Sequence, residues 1–187
     1  MDFDAVVLAG GRSSRLGGTE KALLEIGGRR LLDLTLDAVT DARRTVVVGE
    51  VTVPPGILVT REFPAFGGPA AAIAAGLAVL DSDADHTLVL ACDMPRVSEV
   101  VAALLAAGGG LAVDEGREQY LAGLYPNVAL RRSVSPGSGT GSVDGRSVRS
   151  LLAAIEAAVP LARIAVPAGS THDIDTWTDA ELFGAHA

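Results

Sequence analysis

The sequence predicts an α/β fold: a three-layer α/β/α sandwich around a Rossmann-like, mostly parallel sheet. Three observations carry that expectation. Short, uncharged apolar runs recur at residues 5–9, 45–48 and 87–91, the form taken by strands buried on both faces. Segments with helical apolar spacing lie between them, so strand and helix alternate through the first two-thirds of the chain. Alanine and glycine abound while aromatics make up only 4%, a composition suited to helices packed closely on a sheet.

At 187 residues the chain fits a single domain, 1–187, with room for a sizeable core. No apolar run is long enough to span a bilayer, and no basic-then-apolar leader opens the chain. A cytoplasmic protein is therefore expected. Its one cysteine, Cys92, agrees with a reducing compartment and excludes both a disulfide framework and a cysteine-built metal site. The net charge of −8 argues against nucleic acid or an anionic membrane as partner. It leaves small anions open, because what they meet is a local field. Seven of the fifteen basic residues fall in the first fifty positions, so that is where an anion is drawn.

Taken in order, residues 5–9 form the first strand, which stops at Gly10-Gly11. Residues 23–26 form a short extended piece closed by Gly27-Gly28, and apolar positions over 30–39 give a helix. The second buried strand is 45–48; Pro54-Pro55-Gly56 breaks the chain, and 57–59 is the third strand. A loop, REFPAFGGP, feeds a helix over 70–80 whose first turn takes Pro69. An acidic turn at 81–85 precedes the central strand 87–91, which ends in Cys92-Asp93-Met94-Pro95. Ser98 is expected to cap a helix running to 107, which Gly108 to Gly110 stop.

The character then changes. Residues 111–114 and 120–125 read as an antiparallel pair around the polar turn 115–118. A helix follows over 128–134, then a surface loop, SPGSGTGS, at 135–142. Gly145-Arg146-Ser147 precedes a helix over 148–158, and 162–166 is the last strand. A polar loop, 169–175, leads to a closing helix from Asp179, with Thr178 as its cap.

The chemistry concentrates where the first strand ends. Gly10-Gly11 is followed by Arg12, Ser13, Ser14, Arg15, Gly17-Gly18 and Lys21, with Glu20 the single acid. A glycine-rich loop that exposes N–H groups beside cations suits a polyphosphate. It is not a P-loop, since Lys21 follows Glu20 and precedes Ala22. Nor is it the dinucleotide fingerprint: counted from Gly10, the third and sixth places hold Arg12 and Arg15. A dinucleotide-dependent oxidoreductase lacks its motif here. Lys21 is also the chain's only lysine among fourteen arginines, and a compact ammonium suits a point contact to phosphate.

Two acidic positions complete the set. Asp93 ends the central strand, on the rim where open α/β sheets bind ligands, and a carboxylate there can hold Mg²⁺ against phosphate oxygens. Capping the next helix is the competing role, and Ser98 is better placed for it. Asp173 and Asp175 share one side of a short extended segment, Asp173-Ile174-Asp175-Thr176. Two like charges so close invite a cation between them and a partner; the same residues also fit an Asx turn entering the last helix. His86, His172 and His186 have no neighbours that form a catalytic set, and Cys92 is expected in the core.

Leu8 to Lys21 reads Leu-x-Gly-Gly-x-x-x-Arg-x-Gly-x-x-x-Lys, followed by FGGPAAAIAAGL, LVLACDMP, QYLAGLY, GRSVRSLL and DIDTWTDAEL. Across nearly its whole length the chain resembles the molybdenum cofactor guanylyltransferases, within the wider fold of molybdopterin- and sugar-phosphate nucleotidyltransferases. The resemblance implies that Leu8, Ala9 and Gly10 contact base and ribose, while Gly11, Arg15 and Lys21 hold the triphosphate. It implies Gly68 near the purine, Asp93 and Asp175 on Mg²⁺, and Asp173 with Asp175 toward the acceptor. The catalytic set is then Arg15, Lys21 and Asp93. GTP is the implied donor and molybdopterin the acceptor, with a molybdoenzyme or its chaperone receiving the product.

Two departures bear on substrate choice. Asp173-Ile174-Asp175 stands where guanylyltransferases often carry Asn-Val-Asn, and looks more like the cytidylyltransferases that use CTP. The acid that usually precedes the FGGP-like loop can be placed only at Glu62. A guanylyltransferase for phospholactate is the other alternative within the class, and a nucleotide-binding regulator without catalysis is the alternative outside it.

Overall fold

A computed structural model describes residues 1–10, 21–135 and 146–184. β1 (Phe3–Leu8) has six buried residues in succession, so it lies in the middle of a sheet covered on both faces. A 3₁₀ turn (Lys21–Leu23) leads into the small antiparallel hairpin β2 (Glu25–Ile26) and β3 (Arg29–Arg30), turned by Gly27-Gly28. Where one extended piece was expected over 23–26, the glycine pair folds the chain back on itself. Next come α1 (Leu31–Ala38), β4 (Thr45–Val48), β5 (Leu58–Thr60) and α2 (Pro69–Val79). β6 (His86–Ala91), α3 (Val97–Ala107), β7 (Gly110–Asp114) and β8 (Arg117–Pro126) follow. The chain closes with α4 (Asn127–Val134), α5 (Val148–Ala158), β9 (Arg163–Ala165) and α6 (Trp177–Leu182).

Among the described residues, seven strands form the main sheet in the order β5-β4-β1-β6-β8-β7-β9. β8 alone runs against its neighbours β6 and β7; the other pairings are parallel. Alternate residues of β1 serve opposite faces. Val6 and Leu8 join the cluster that includes Ile73, Leu130 and Leu151, so α2, α4 and α5 cover that face. Ala5 packs toward Val100 and Leu104 of α3, and Val7 toward Leu32 and Leu36 of α1, on the other. These are the three layers of the expected sandwich.

Two helix starts differ from expectation. α3 begins at Val97 with Arg96 as its N-cap and no side-chain cap, so Ser98 falls inside the first turn. The reason is the preceding turn: the Val97 N–H already donates to the Met94 carbonyl at 3.2 Å, and that of Glu99 to Arg96 at 3.1 Å. At the last helix, Thr176 rather than Thr178 is the cap, in a reciprocal capping box with Asp179. The Thr-x-x-Asp spacing carries that signal. α5 starts where expected, with the Ser147 hydroxyl accepting from the Ser150 N–H. The loop expected at 135–142 lies outside the described residues beyond Ser135, as does His186.

Candidate active site

β1 and β6 are neighbours in register, Leu8 beside Ala91, and both leave the sheet at the same rim. From β1 the sheet extends to β4 and β5 on one side and to β6 on the other, so this rim is the topological switch point where open α/β sheets bind ligands. The exits are tied together. The Ala9 N–H donates to the Val48 carbonyl at 2.9 Å, and that of Cys92 to Leu8 at 3.1 Å. Gly49, after β4, passes so close that an added Cβ would stand 2.9 Å from the Ala9 carbonyl carbon. That position admits no side chain.

A cleft of about 1070 Å³ opens here, with Leu8, Ala9, Gly10, Lys21, Asp93 and Gly68 among its lining. Gly68 sits at the N-terminus of α2 with φ +89°, a conformation glycine adopts without cost. The lining also includes Arg61, Glu62 and Phe66. The Glu62 carboxylate accepts from the Phe66 N–H at 3.2 Å, and Glu50 pairs with Arg61 at the mouth. Glu50 and Arg61 were not singled out in the sequence. The rule that marks Gly10 and Asp93, a place at the carboxyl end of a strand, applies equally to them.

Lys21 opens the 3₁₀ turn, anchored by the buried Ala22 beside it. Its ammonium donates to the Asp93 carboxylate at 3.3 Å and, more closely, to Asp175. Asp175 arrives from the other end of the chain. The Ile174 N–H donates to the Asp93 carbonyl at 3.0 Å, and the Ile174 side chain is fully buried against Leu24, Leu31 and Ala180. With Ile174 turned inward, Asp173 is exposed and Asp175 turns to the ammonium. Asp175 therefore joins the site, while Asp173 reaches Asp93 only through its charge.

Burial pushes the Asp93 carboxyl up from its ordinary range by more than Lys21 pulls it down, and the charge of Asp173 adds to the rise. Burial also opposes charge on Lys21, yet hydrogen bonding to Asp175 and the field of Asp93 outweigh it and raise its affinity for the proton. The two partners shift the same way for different reasons: one ammonium answers two carboxylates, and the carboxylate beneath it is the more deeply desolvated. Burial pushes the Cys92 thiol up to about 12, which makes it inert at neutral pH. His172 packs on Phe183 and stands 3.7 Å from Asp179, in α6.

Among the described residues, no group of three or more His, Cys, Asp and Glu side chains could hold a metal unaided. Two carboxylates already converge on one cation, however, and Mg²⁺ characteristically takes one or two carboxylates and completes its shell with phosphate oxygens and water. Asp93 and Asp175 fit that role. Gly11 and Arg15, expected on the triphosphate, lie outside the described residues.

The MobA-like NTP transferase domain family matches residues 5–158. A molybdenum cofactor guanylyltransferase of Acidiphilium cryptum is 35% identical over 132 residues, 67% of each chain. Among solved structures, molybdopterin-guanine dinucleotide biosynthesis protein A of Archaeoglobus fulgidus superposes with a TM-score of 0.59 at 20% identity, covering 96% of this chain and 95% of that one. The 2-C-methyl-D-erythritol 4-phosphate cytidylyltransferase of Thermus thermophilus gives 0.64 at 22%, covering 97% of both chains. Those two likenesses concern the fold; the sequence match carries the kinship. The chain belongs to the MobA-like NTP transferase family and is a nucleotidyltransferase.

Proposed function

We propose that this enzyme moves GMP from GTP onto the terminal phosphate of molybdopterin, in the cytoplasm, and releases pyrophosphate. The observation that supports it best is the meeting of Lys21 with Asp93 and Asp175 on the switch-point rim. A phosphate oxygen of the acceptor forms the new bond to the α-phosphorus of GTP. The bond from that phosphorus to the α,β-bridging oxygen breaks, and pyrophosphate leaves with the electron pair. An ionised phosphate monoester is already a nucleophile, so no general base is needed.

The residues therefore act by placement and charge. Leu8, Ala9, Gly10 and Gly68 wall the nucleotide, with Gly11 and Arg15 assigned to its phosphates. Lys21, exchanged from the carboxylates to the phosphates, neutralises the charge that grows on the leaving group. Asp93 and Asp175 would hold Mg²⁺, which when bound offsets phosphate charge and orients the oxygens. Asp173, exposed and within electrostatic reach of Asp93, is assigned to the acceptor.

A second reading keeps the reaction and changes the base: Asp173-Ile174-Asp175 resembles the cytidylyltransferase motif, which favours CTP. Thermal shifts with GTP, CTP, ATP and UTP, followed by pyrophosphate release with molybdopterin or phospholactate, distinguish the readings. GTP with molybdopterin should give the largest response. Release with CTP alone would replace guanylyl by cytidylyl transfer, and no release with any pair would refute the proposal.

A further inference from the structure

Asp114, the last residue of β7, is 5% exposed, yet nothing in the transfer chemistry uses it. Its carboxylate accepts three hydrogen bonds from one loop. The Gly169 N–H reaches one oxygen at 3.0 Å; the Thr171 N–H and hydroxyl reach the other at 3.0 and 2.8 Å. All three partners donate. Only a group that accepts at both ends satisfies them, and an amide would turn its NH₂ toward one of these donors.

That loop begins the arm that returns from β9 to the active site. Arg96, just beyond Asp93 and Pro95, donates to the Ala168 carbonyl at 2.9 Å. Four residues past Thr171 the arm delivers Asp175 to Lys21, after Ile174 has bonded to the Asp93 backbone. Four residues span at most about 14 Å when extended, so an anchor at Thr171 limits where Asp175 can be. The arm is thus held upstream by a buried carboxylate and downstream by the buried Ile174.

We propose that Asp114 is a positioning residue: by holding Gly169 and Thr171 it sets where Asp175 meets Lys21 and Asp93, without touching substrate. The inference rests on the nucleotidyl-transfer reading of that site and deepens it.

Trp177, the chain's only tryptophan, lies two residues beyond Asp175 and is 37% exposed, so its fluorescence reports on the arm. The test compares wild type, Asp114→Asn, Thr171→Val and Thr171→Ser as full chains. Two quantities are read: acrylamide quenching of Trp177, and Mn²⁺ half-saturation by electron paramagnetic resonance in the presence of GTP. Asp114→Asn should raise quenching about twofold and Mn²⁺ half-saturation about tenfold, the size of effect seen when a supporting residue behind a metal ligand is lost. GTP affinity without metal should stay within about twofold of wild type, because the nucleotide's walls come from other elements. Thr171→Val should move both readouts the same way, and Thr171→Ser should restore them. Wild-type values in Asp114→Asn would overturn the proposal. So would a fall in metal-free GTP affinity matching that for Mn²⁺, or Thr171→Ser behaving as Thr171→Val. If Asp114→Asn fails to fold, the Thr171 pair decides alone. Neither readout needs turnover, so they judge Asp114 whether or not the chain transfers GMP.

Discussion

The Lys21 ammonium lies 3.3 Å from the carboxylate of Asp93, a residue 72 positions further along the chain. Two parallel strands, β1 and β6, create that meeting by ending in register at one rim. Asp175, separated from Lys21 by 154 positions, closes the group.

Lys21→Met keeps the apolar stem and removes the charge. Transfer should slow by about 10²–10³, the usual loss when one preorganised charge-stabilising group is removed. Steady-state pyrophosphate release with saturating nucleotide and acceptor measures it. A near-wild-type rate would remove Lys21 from the mechanism.

Asp93→Asn should separate activity from stability. Burial is the largest influence on Asp93 and raises its proton affinity above the ordinary value. A group raised in this way supports folding fully while protonated and loses that support as pH climbs through its folded-state pKa. At pH 7 the ionised carboxylate is therefore a net cost, and ligand-free Asp93→Asn should melt about 2–4 °C higher than wild type for each kcal/mol relieved. The gap should shrink towards pH 3, where the wild type is protonated. Thermal melts at both pH values check the sign, and transfer by the variant should be lost.

Gly49→Ala places a Cβ 2.9 Å from one backbone atom of Ala9 and 3.0 Å from another. Backbone there cannot yield without moving the exit of β1. Overpacking of this kind costs about 1–3 kcal/mol, and the shift should also weaken nucleotide binding. Urea unfolding and nucleotide titration measure the two effects.

Thr176→Ala removes the capping box of α6 and should lower stability by about 1 kcal/mol in urea melts. It leaves Asp114 and its loop contacts intact.

Much of this was legible in the sequence because the informative features are local. The charge-free run at Thr45–Val48 is found as expected, as is the helix Val148–Ala158 after its serine cap. The pairing of Lys21 with Asp93 followed from a rule about strand ends. What was not legible depends on distant contacts. No periodicity shows that β8 inserts antiparallel between β6 and β7, or that the loop after β9 supplies the three donors Asp114 requires. The inward turn of Ile174, which separates Asp175 at the site from Asp173 in solvent, rests on packing against Leu24 and Leu31. The misplaced cap at Ser98 reflects local competition, since the turn after Asp93 starts the helix two residues earlier, with Arg96 as the cap.

The most direct test follows label through the reaction, using GTP labelled at either the α- or the γ-phosphorus, with Mg²⁺ and molybdopterin. The α label should appear on the acceptor and the γ label in pyrophosphate, with both transfers slowed by about 10²–10³ in Lys21→Met. A γ label on the acceptor, or an α label that never leaves the free nucleotide pool, would contradict nucleotidyl transfer at this cleft.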